Sequence, residues 1–363
     1  MNNPLWSDIR AQGENTVRVL GHLLGGERKN LDAAAGFCRP DRPFAFFGVA
    51  SAQYLCKPAV HFLNRAGQYA ADWCASQGAD ALIPALREAN VVINSRSGET
   101  AEVVRLAQSL SEARIPYIAI TNEPDSTAAR LAVRVIWTNT RKDELVSINV
   151  VTGMMLSTLA FAAAVTGELD TLRPEFERVA GAMGETVDRA ALMGPAMRDL
   201  FEGVHPLYLL YRGASAGSAF CGRLVLEEVA RRPGVAMGAA EFRQGPNEVI
   251  DDRFGAVVLV PQGKDGELNR KLAADIRRSG GRVLAVGQLP GPELSEPGAL
   301  SFALPAVHES LSPVLEVVPA LVLAYELAKA QGYEPGQVRY ITKVILSEEG
   351  IPNEGRPGEK PAG

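Results

Sequence analysis

The sequence predicts an α/β protein built from two tandem doubly wound domains with mainly parallel sheets. Short apolar, β-branched runs alternate with segments whose apolar residues recur every three or four positions, which is typical of parallel strands covered by helices. The plan also repeats, because Val91-Val92-Ile93 recurs 166 positions later as Val257-Val258-Leu259, and Ala50-Ser51-Ala52 recurs 164 positions later as Ala214-Ser215-Ala216. Two matches at nearly the same offset indicate an internal duplication.

The first half carries an N-terminal helical region and then alternating strands and helices. Strands are predicted over residues 43–49, 91–93, 116–121 and 133–138, and helices over 3–37, from 51 to about 70, 103–110, 127–132 and 143–167. A polar helical connection follows over 168–197, and we place the domain boundary within it, near residue 180.

The second half repeats this order. It has predicted strands at 205–211 and 257–259, a helix opening at 212–216, a long apolar helix at 313–330 and a turn at 333–336. The first domain therefore spans residues 1–180 and the second 181–350. Residues 351–363 are rich in Pro and Gly and are expected to form a disordered tail.

The bulk composition excludes several classes of protein. A length of 363 residues with 47% hydrophobic and 22% charged residues fits two domains of an ordinary globular protein. A net charge of −5 and the lack of any Lys/Arg block argue against a nucleic-acid partner. The four cysteines and four histidines show no metal-ligand spacing, so we expect no metal site and a reducing compartment. Residues 148–167 favour a buried helix over a membrane span, and no signal peptide is evident, so a cytoplasmic protein without a membrane partner is expected.

The clearest chemical motif lies at 91–107, where a strand, a hydroxyl-rich turn and a helix start follow one another. Ser95, Ser97 and Thr100 supply hydroxyl groups, and Gly98 permits close approach of the backbone. The first turn of a helix binds anions, and no dinucleotide or P-loop fingerprint is present, so a phosphate on a small molecule is favoured. The alternative is an ordinary helix with a Ser or Thr cap. Residues 261–266 replace this turn in the second copy and lack its hydroxyls, which leaves one phosphate site.

The run Ser95-Arg96-Ser97-Gly98-Glu99-Thr100 resembles the S-x-S-G-x-T phosphosugar loop of the SIS (sugar isomerase) domain family. Two such Rossmann-like domains in tandem resemble the isomerase half of glucosamine-6-phosphate synthase and the related amino-sugar-phosphate deaminases and fructosamine-phosphate deglycases. Residues 212–251 and 309–343 carry further similarity, and the resemblance covers roughly 40–346. It implies a sugar 6-phosphate substrate, a homodimer and no cofactor.

The resemblance also implies roles for individual residues. The phosphate and sugar would be bound by Ser51, Ser95, Arg96, Ser97, Thr100, Val146 and Ser147. The proton-shuttling glutamate falls on Glu228, whereas Glu227 fits better as a solvated residue paired with the following arginines. The lysine that forms a Schiff base falls on Lys343, whose apolar neighbours predict burial and a lowered pKa.

One family residue is replaced. Sixteen positions after the glutamate the family commonly has a ring-opening histidine, and this chain has Gln244. Glutamine exchanges no proton near neutral pH. Either His308 or His61 substitutes, or the substrate reacts in its open-chain form, or the protein binds sugars without turnover. For His308 we favour the simpler interpretation of a helix-end residue.

Together these features predict a phosphosugar isomerase, deaminase or deglycase that moves a proton between C1 and C2. Amide-nitrogen transfer is not expected, because no glutaminase domain precedes the tandem pair in this sequence. The alternative is a non-catalytic regulatory protein that binds a phosphosugar.

Overall fold

The computed structural model describes residues 3–288 and 297–350, and the predicted tail at 351–363 lies outside them. Ten strands form two five-stranded sheets, with every pairing parallel. The strands are β1 Phe44–Gly48, β2 Ala70–Cys74, β3 Asn90–Ser95, β4 Tyr117–Thr121, β5 Arg134–Trp137, β6 Leu207–Tyr211, β7 Gly234–Gly238, β8 Gly255–Val260, β9 Arg282–Gly287 and β10 Ala299–Ala303.

The two sheets have the same topology. The first runs β2-β1-β3-β4-β5 and the second β7-β6-β8-β9-β10, so each half has the order 2-1-3-4-5 in its own numbering. This order is a doubly wound α/β arrangement, in which ligands bind beyond the carboxyl ends of the strands where the order reverses. The predicted fold class is confirmed, and the shared order fits the duplication inferred from the sequence.

Helices cover the faces of both sheets and join the two halves. They are α1 Pro4–Arg10, α2 Gln12–Leu24, α3 Arg28–Phe37, α4 Ser51–Tyr54, α5 Lys57–Arg65, α6 Ala75–Gln77, α7 Ala101–Glu112, α8 Thr127–Leu131, α9 Asn149–Val165, α10 Leu169–Leu200, α11 Ala216–Val229, α12 Ala239–Phe242, α13 Gly263–Arg278, α14 Pro313–Glu316 and α15 Val318–Ala330. No helix in the described part of the chain combines the length and apolarity of a membrane span.

Several predicted boundaries differ from the structure. The helix expected over 3–37 is three helices, α1 to α3, because the chain turns at Ala11 and again around Gly25. The helix expected from residue 143 begins only at Asn149. Strands β2, β7, β9 and β10 were not predicted; β2 and β7, with the sequences AADWC and GVAMG, contain few β-branched residues.

Helix α10 runs without interruption for 32 residues through position 180. The domain boundary near 180 stays a prediction, since no loop marks it. A single hydrophobic cluster includes buried residues from the first-half helices, α10 and α15. Within it, Trp6 packs against Tyr325 with ring centroids 4.7 Å apart. A Cβ atom at Gly13 would lie only 2.8 Å from the Cα atom of Gly184, so α2 and α10 pack with their backbones in contact.

Candidate functional site

The hydroxyl-rich turn follows β3, which lies beside β1 where the strand order of the first sheet reverses. The buried Ser95 hydroxyl accepts a hydrogen bond from the Gly98 N–H at 2.9 Å, and the Ser97 hydroxyl accepts one from the Glu99 N–H at 3.2 Å. These bonds shape the turn and leave each hydroxyl proton to donate to a ligand. Thr100 precedes α7, and its side chain makes no capping hydrogen bond to that helix. The turn therefore differs from an ordinary Ser- or Thr-capped helix start.

Glycine is required at position 98. Gly98 has a φ of +64°, and a Cβ atom there would lie 2.0 Å from the Ser126 Oγ atom. The Gly98 carbonyl accepts a hydrogen bond from the Ala128 N–H at 3.1 Å. The turn at residues 95–100, called the phosphate loop below after its predicted role, thus packs directly against the start of α8 after the neighbouring strand.

The companion turn follows β1. At Gly48 a Cβ atom would lie 2.5 Å from the backbone of Ala52, so no larger residue fits. Ala50 has a φ of +49°, a conformation that favours glycine, and it occupies the position where the family turn has its second glycine. Ser51 begins α4 and is partly buried.

A cavity of about 460 Å³ lies beside the turn and is called the loop cavity here. Its lining includes two of the predicted phosphate-binding residues, Arg96 and Ser97, together with Lys343. Ser51, Ser95 and Thr100 do not line it. The remaining lining residues are Glu99, Asn122, Glu123, Asp125, Ser126, Lys142, Asp143, Val150 and Val344.

Sequence reasoning missed most of the polar residues of this cavity, which are Glu99, Asn122, Glu123, Asp125, Ser126, Lys142 and Asp143. Asn122 directly follows β4, and Ser126 caps α8, so both lie at the carboxyl edge of the first sheet. Their position after a parallel strand adjacent to β3 is the signal that could have identified them.

Asp143 explains why α9 begins later than predicted. Its buried carboxylate accepts hydrogen bonds from the N–H groups of Ile148, Asn149 and Val150, at 2.9, 2.8 and 3.0 Å. Burial nevertheless raises the pKa of this carboxyl group. The bonds fix the segment that carries Ser147, which lies within reach of Arg96.

Arg96 is partly buried and joins several parts of the site. Its Nη1 atom lies 3.4 Å from the Ser147 hydroxyl, and its Nη2 atom donates to the Lys343 carbonyl. Burial lowers the pKa of Arg96, while the negative charges of Asp143, Glu228 and Glu123 oppose that shift. Val146 is buried and lines a different cavity of about 380 Å³, so it is not grouped with Arg96.

Glu228 lies in the last turn of α11 and lines a second cavity, of about 480 Å³. Burial raises the pKa of its carboxyl group to about 7; the charge of Glu227 raises it further and that of Arg96 lowers it. Glu227 instead pairs with Arg223 at 3.8 Å. The two adjacent glutamates therefore have different surroundings, and the charge of Arg96 acts on Glu228.

The C-terminal segment 337–348, called the tail here, crosses the start of α7. The Ile345 carbonyl accepts a hydrogen bond from the Ala101 N–H at 3.0 Å, and Glu348 pairs with Arg105 at 2.6 Å. Lys343 is exposed at the edge of the loop cavity, so the prediction that its apolar neighbours bury it was wrong. The partly buried Val344 and Ile345 face the protein instead, and the lysine side chain points to solvent.

Neither Gln244 nor the two histidines lines these cavities. Gln244 is exposed after α12. His308 donates its backbone N–H to Glu175 at 2.9 Å and accepts at Nδ1 from the Ser310 N–H, as expected of a residue near a helix end. His61 lies close to Gly213 of the second half. Burial lowers the pKa of both imidazoles. Within one chain, the described residues therefore offer no histidine in place of Gln244.

No group of three or more His, Cys, Asp or Glu side chains within residues 3–288 and 297–350 is arranged to hold a metal ion. The polar groups that line the loop cavity are hydroxyl, amine, amide, guanidinium and carboxyl groups.

Comparisons with known proteins show what this chain is similar to. Residues 46–164 match the model of the SIS domain family. This range includes β3 and the phosphate loop. The chain is 25% identical over 262 residues to the glutamine–fructose-6-phosphate aminotransferase (isomerizing) of Pyrobaculum aerophilum, a match that covers 70% of this chain and 43% of that protein. Its counterpart from Thermococcus kodakarensis is 27% identical over 272 residues, covering 71% and 44%. The chain thus spans less than half the length of these relatives.

Solved structures share the fold along most of the chain. The C-terminal domain of glucosamine-fructose-6-phosphate aminotransferase from Francisella tularensis superposes with a TM-score of 0.77 at 18% identity, covering 92% of this chain and 97% of that one. Glucosamine-6-phosphate deaminase from Thermotoga maritima gives a TM-score of 0.76 at 20% identity, covering 94% and 99%. The resemblance predicted from the sequence is confirmed.

Proposed function

We propose that this chain, which carries an SIS domain over residues 46–164, is a sugar 6-phosphate enzyme of the aldose–ketose isomerase or amino-sugar-phosphate deaminase and deglycase type. The observation that carries the proposal is the partly buried carboxyl group of Glu228, with its pKa raised to about 7 and the positive charge of Arg96, from the phosphate loop, acting on it. A carboxyl group titrating near neutral pH is suited to both taking and returning a proton.

In this proposal the phosphate is bound at the loop. The Ser97 hydroxyl and the guanidinium of Arg96 line the loop cavity, and α7 begins directly after the turn at Ala101. The buried Ser95 shapes the turn through its bond to the Gly98 N–H. The sugar would extend from the phosphate towards Glu228, because Arg96 interacts with both regions.

Glu228 then acts as the base. Its ionised form removes a proton from one of the two carbons C1 and C2 of an open-chain sugar and returns it to the other, which interconverts ketose and aldose. The enediolate that forms between these steps carries negative charge, and Arg96 lies where it can stabilise that charge.

Lys343 would supply the chemistry of nitrogen removal. Its amine is exposed at the loop cavity, while its backbone carbonyl is held by Arg96. An amine in this position can condense with the C2 carbonyl of a keto sugar with loss of water. The protonated imine that forms withdraws electrons from the adjacent carbon.

The relatives support a sugar phosphate as substrate. The aminotransferases of Pyrobaculum aerophilum and Thermococcus kodakarensis are named for fructose 6-phosphate, and the Thermotoga maritima protein for glucosamine 6-phosphate. We also propose that the protein is cytoplasmic and forms a homodimer. The argument for the dimer is that the described linings of the loop and Glu228 cavities in one chain contain no histidine for ring opening, and a second copy of the chain could supply one.

The test is turnover of three compounds by the purified chain: fructose 6-phosphate, glucosamine 6-phosphate and a fructosamine 6-phosphate. Phosphorus and proton NMR would follow the sugar, and an ammonia or amine assay would follow nitrogen. Conversion of at least one compound is expected, and its product identifies the reaction. Failure to convert any of them contradicts the proposal.

A second candidate is a regulatory protein that binds a phosphosugar without turnover. It is supported by the described linings of the loop and Glu228 cavities, which contain no histidine to open the sugar ring. This candidate predicts that at least one of the three sugars binds, seen as shifted resonances, while no hydrogen at C1 or C2 exchanges with solvent.

A further inference from the structure

The second cavity is rich in arginine. It lies between the end of α11, the residues that follow it and the tail, and we call it the arginine cavity. Its lining consists of Glu227, Glu228, Arg231, Arg232, Pro233, Val338, Arg339, Tyr340 and Ile341. Its volume of about 480 Å³ falls within the usual range of small-molecule sites.

The charges of this cavity do not cancel. Three guanidinium groups line it against two carboxyl groups. Glu227 is already paired with Arg223 outside the lining, and the pKa of Glu228 at about 7 leaves that group only partly ionised at neutral pH. The cavity is therefore net positive, which favours an anionic ligand.

The arginines are held in place by groups that do not neutralise them. Arg231 donates to the Gln337 carbonyl at 2.9 Å and lies over the Tyr333 ring, 4.3 Å from its centroid. Arg232 donates to the carbonyls of Phe201 and Val204 at 2.9 and 3.2 Å. Among the described residues, no ion pair joins a carboxylate to Arg231, Arg232 or Arg339.

The arginine cavity adjoins the proposed reaction centre. Glu228 lines it and is coupled to Arg96 of the loop cavity, and the tail runs from Val338–Ile341 in one cavity to Lys343 and Val344 in the other. Because Glu228 lines the arginine cavity, a sugar whose C1 and C2 lie against Glu228 reaches its edge, and a group attached to C1 would extend among its arginines. Isomerisation and ammonia release need no second cavity, whereas a substrate with a large group attached through nitrogen does.

We propose that the arginine cavity binds the amine half of a fructosamine 6-phosphate and recognises a carboxylate on it. This inference rests on the proposed function and selects deglycation among its reactions. Glu228 would remove a proton from C1 of the amino-ketose, and a proton returned to C2 would give an imine of the aldose. Water then adds to C1 and the C1–N bond breaks, which releases the free amine and an aldose 6-phosphate. C1 is oxidised as C2 is reduced, so no external redox partner is needed.

The experiment compares three synthetic fructosamine 6-phosphates made from aspartate, propylamine and ethylenediamine, which carry an acidic, a neutral and a basic amine half. Amine release gives kcat/KM, and calorimetry gives the Kd of each compound. At least a tenfold preference for the aspartate compound over the neutral one is expected, with the basic compound poorest. This preference should weaken as the salt concentration rises.

Arg339→Ala is the test variant, because Arg339 is exposed and contacts the Tyr333 ring only at 5.9 Å. The variant should reduce the acidic-to-neutral ratio several-fold through KM, and Arg339→Glu should reduce it further. Arg278→Ala, on the exposed face of α13, is the matched control and should keep the ratio unchanged.

Equal kcat/KM and Kd values for the three compounds would overturn the inference and leave the proposed function standing. Conversion of fructose 6-phosphate alone would do the same. Failure of all fructosamine and hexose phosphates to react would instead contradict the proposed function. In that case a Kd for the aspartate compound no lower than that for the propylamine compound would also overturn the inference.

Discussion

The partial burial of the Glu228 carboxyl group has a cost to the folded protein. Its carboxyl group has an ordinary pKa of 4.5, which the fold raises to about 7 through burial and the charge of Glu227. The folded state therefore holds the proton more tightly than the unfolded state between these two values. Stability attributable to this group is complete below about pH 4.5 and is lost as the pH rises through 7.

Replacement of the Glu228 carboxyl group should stabilise the folded protein at alkaline pH. Glu228→Gln is expected to be more stable than the parent at pH 8 by up to about 3 kcal/mol, and by much less at pH 5, because glutamine does not ionise. Urea unfolding at the two pH values measures this difference. A stability difference that is the same at both values would show that Glu228 is ordinarily ionised in the fold.

Adding a single Cβ atom at Gly98 tests the role of the phosphate loop. Gly98→Ala should abolish phosphosugar binding, because the new Cβ atom would overlap the Ser126 Oγ atom and displace the turn. Gly67→Ala is the matched control, since Gly67 has a φ of +82° but no atom within 4 Å of the added carbon. The control should lose about 1 kcal/mol of stability and keep its affinity. Calorimetry with fructose 6-phosphate makes the comparison, and equal affinities for both variants would contradict this role of Gly98.

At the scale of elements, the tail lies over the helix that should bind the phosphate. The Ile345 carbonyl already occupies the Ala101 N–H, and Arg96 holds the Lys343 carbonyl. Both contacts use backbone oxygen atoms. A change in the Lys343 side chain should therefore leave the path of the tail intact, which permits a clean test of the amine.

Lys343 should form a trappable Schiff base. Reduction with borohydride in the presence of fructose 6-phosphate is expected to attach one sugar phosphate to the parent protein, as seen by intact mass. Lys343→Ala should gain none while still binding the sugar. Peptide mapping that found the adduct on a different lysine would exclude this role.

Element prediction from sequence succeeded where apolar periodicity was strong and failed where tertiary contacts decide. Strand β3 and helix α7 were predicted because Val91–Ile93 and the 103–110 stripe are unambiguous. The start of α9 could not be predicted, because it depends on the Asp143 carboxylate reaching three backbone N–H groups. The exposure of Lys343 likewise depends on which face of the tail meets the first half.

The site followed the same rule. Motifs predict Ser97, Arg96 and Glu228 as site residues. The structure places Ser97 and Arg96 on the loop cavity and Glu228 on the second cavity, with the charge of Glu228 acting on Arg96. Asn122 and Ser126 were missed, since only the pairing of β4 with β3 places them at the loop. The absence of Gln244 from both cavities also depends on the packing of the second half.

At the scale of the whole molecule, the two sheets share one hydrophobic cluster. Helix α10 is continuous across the predicted boundary, and Trp6 of α1 packs on Tyr325 of α15. We therefore expect a single cooperative unfolding transition. Tryptophan fluorescence and far-UV circular dichroism should give the same urea midpoint, whereas two separate transitions would mean that the halves fold independently.

The central claim is that Glu228 moves a proton between C1 and C2 of a bound sugar 6-phosphate, and hydrogen exchange in heavy water tests it most directly. Proton NMR should show C1 or C2 hydrogens of the substrate lost to solvent, at a rate that rises with pH through about 7 as Glu228 ionises. Glu228→Gln should slow this exchange by roughly 10²- to 10⁴-fold. Glu227→Gln, next to it and paired with Arg223, should retain the exchange. Equal exchange rates in Glu228→Gln and the parent protein would contradict the claim.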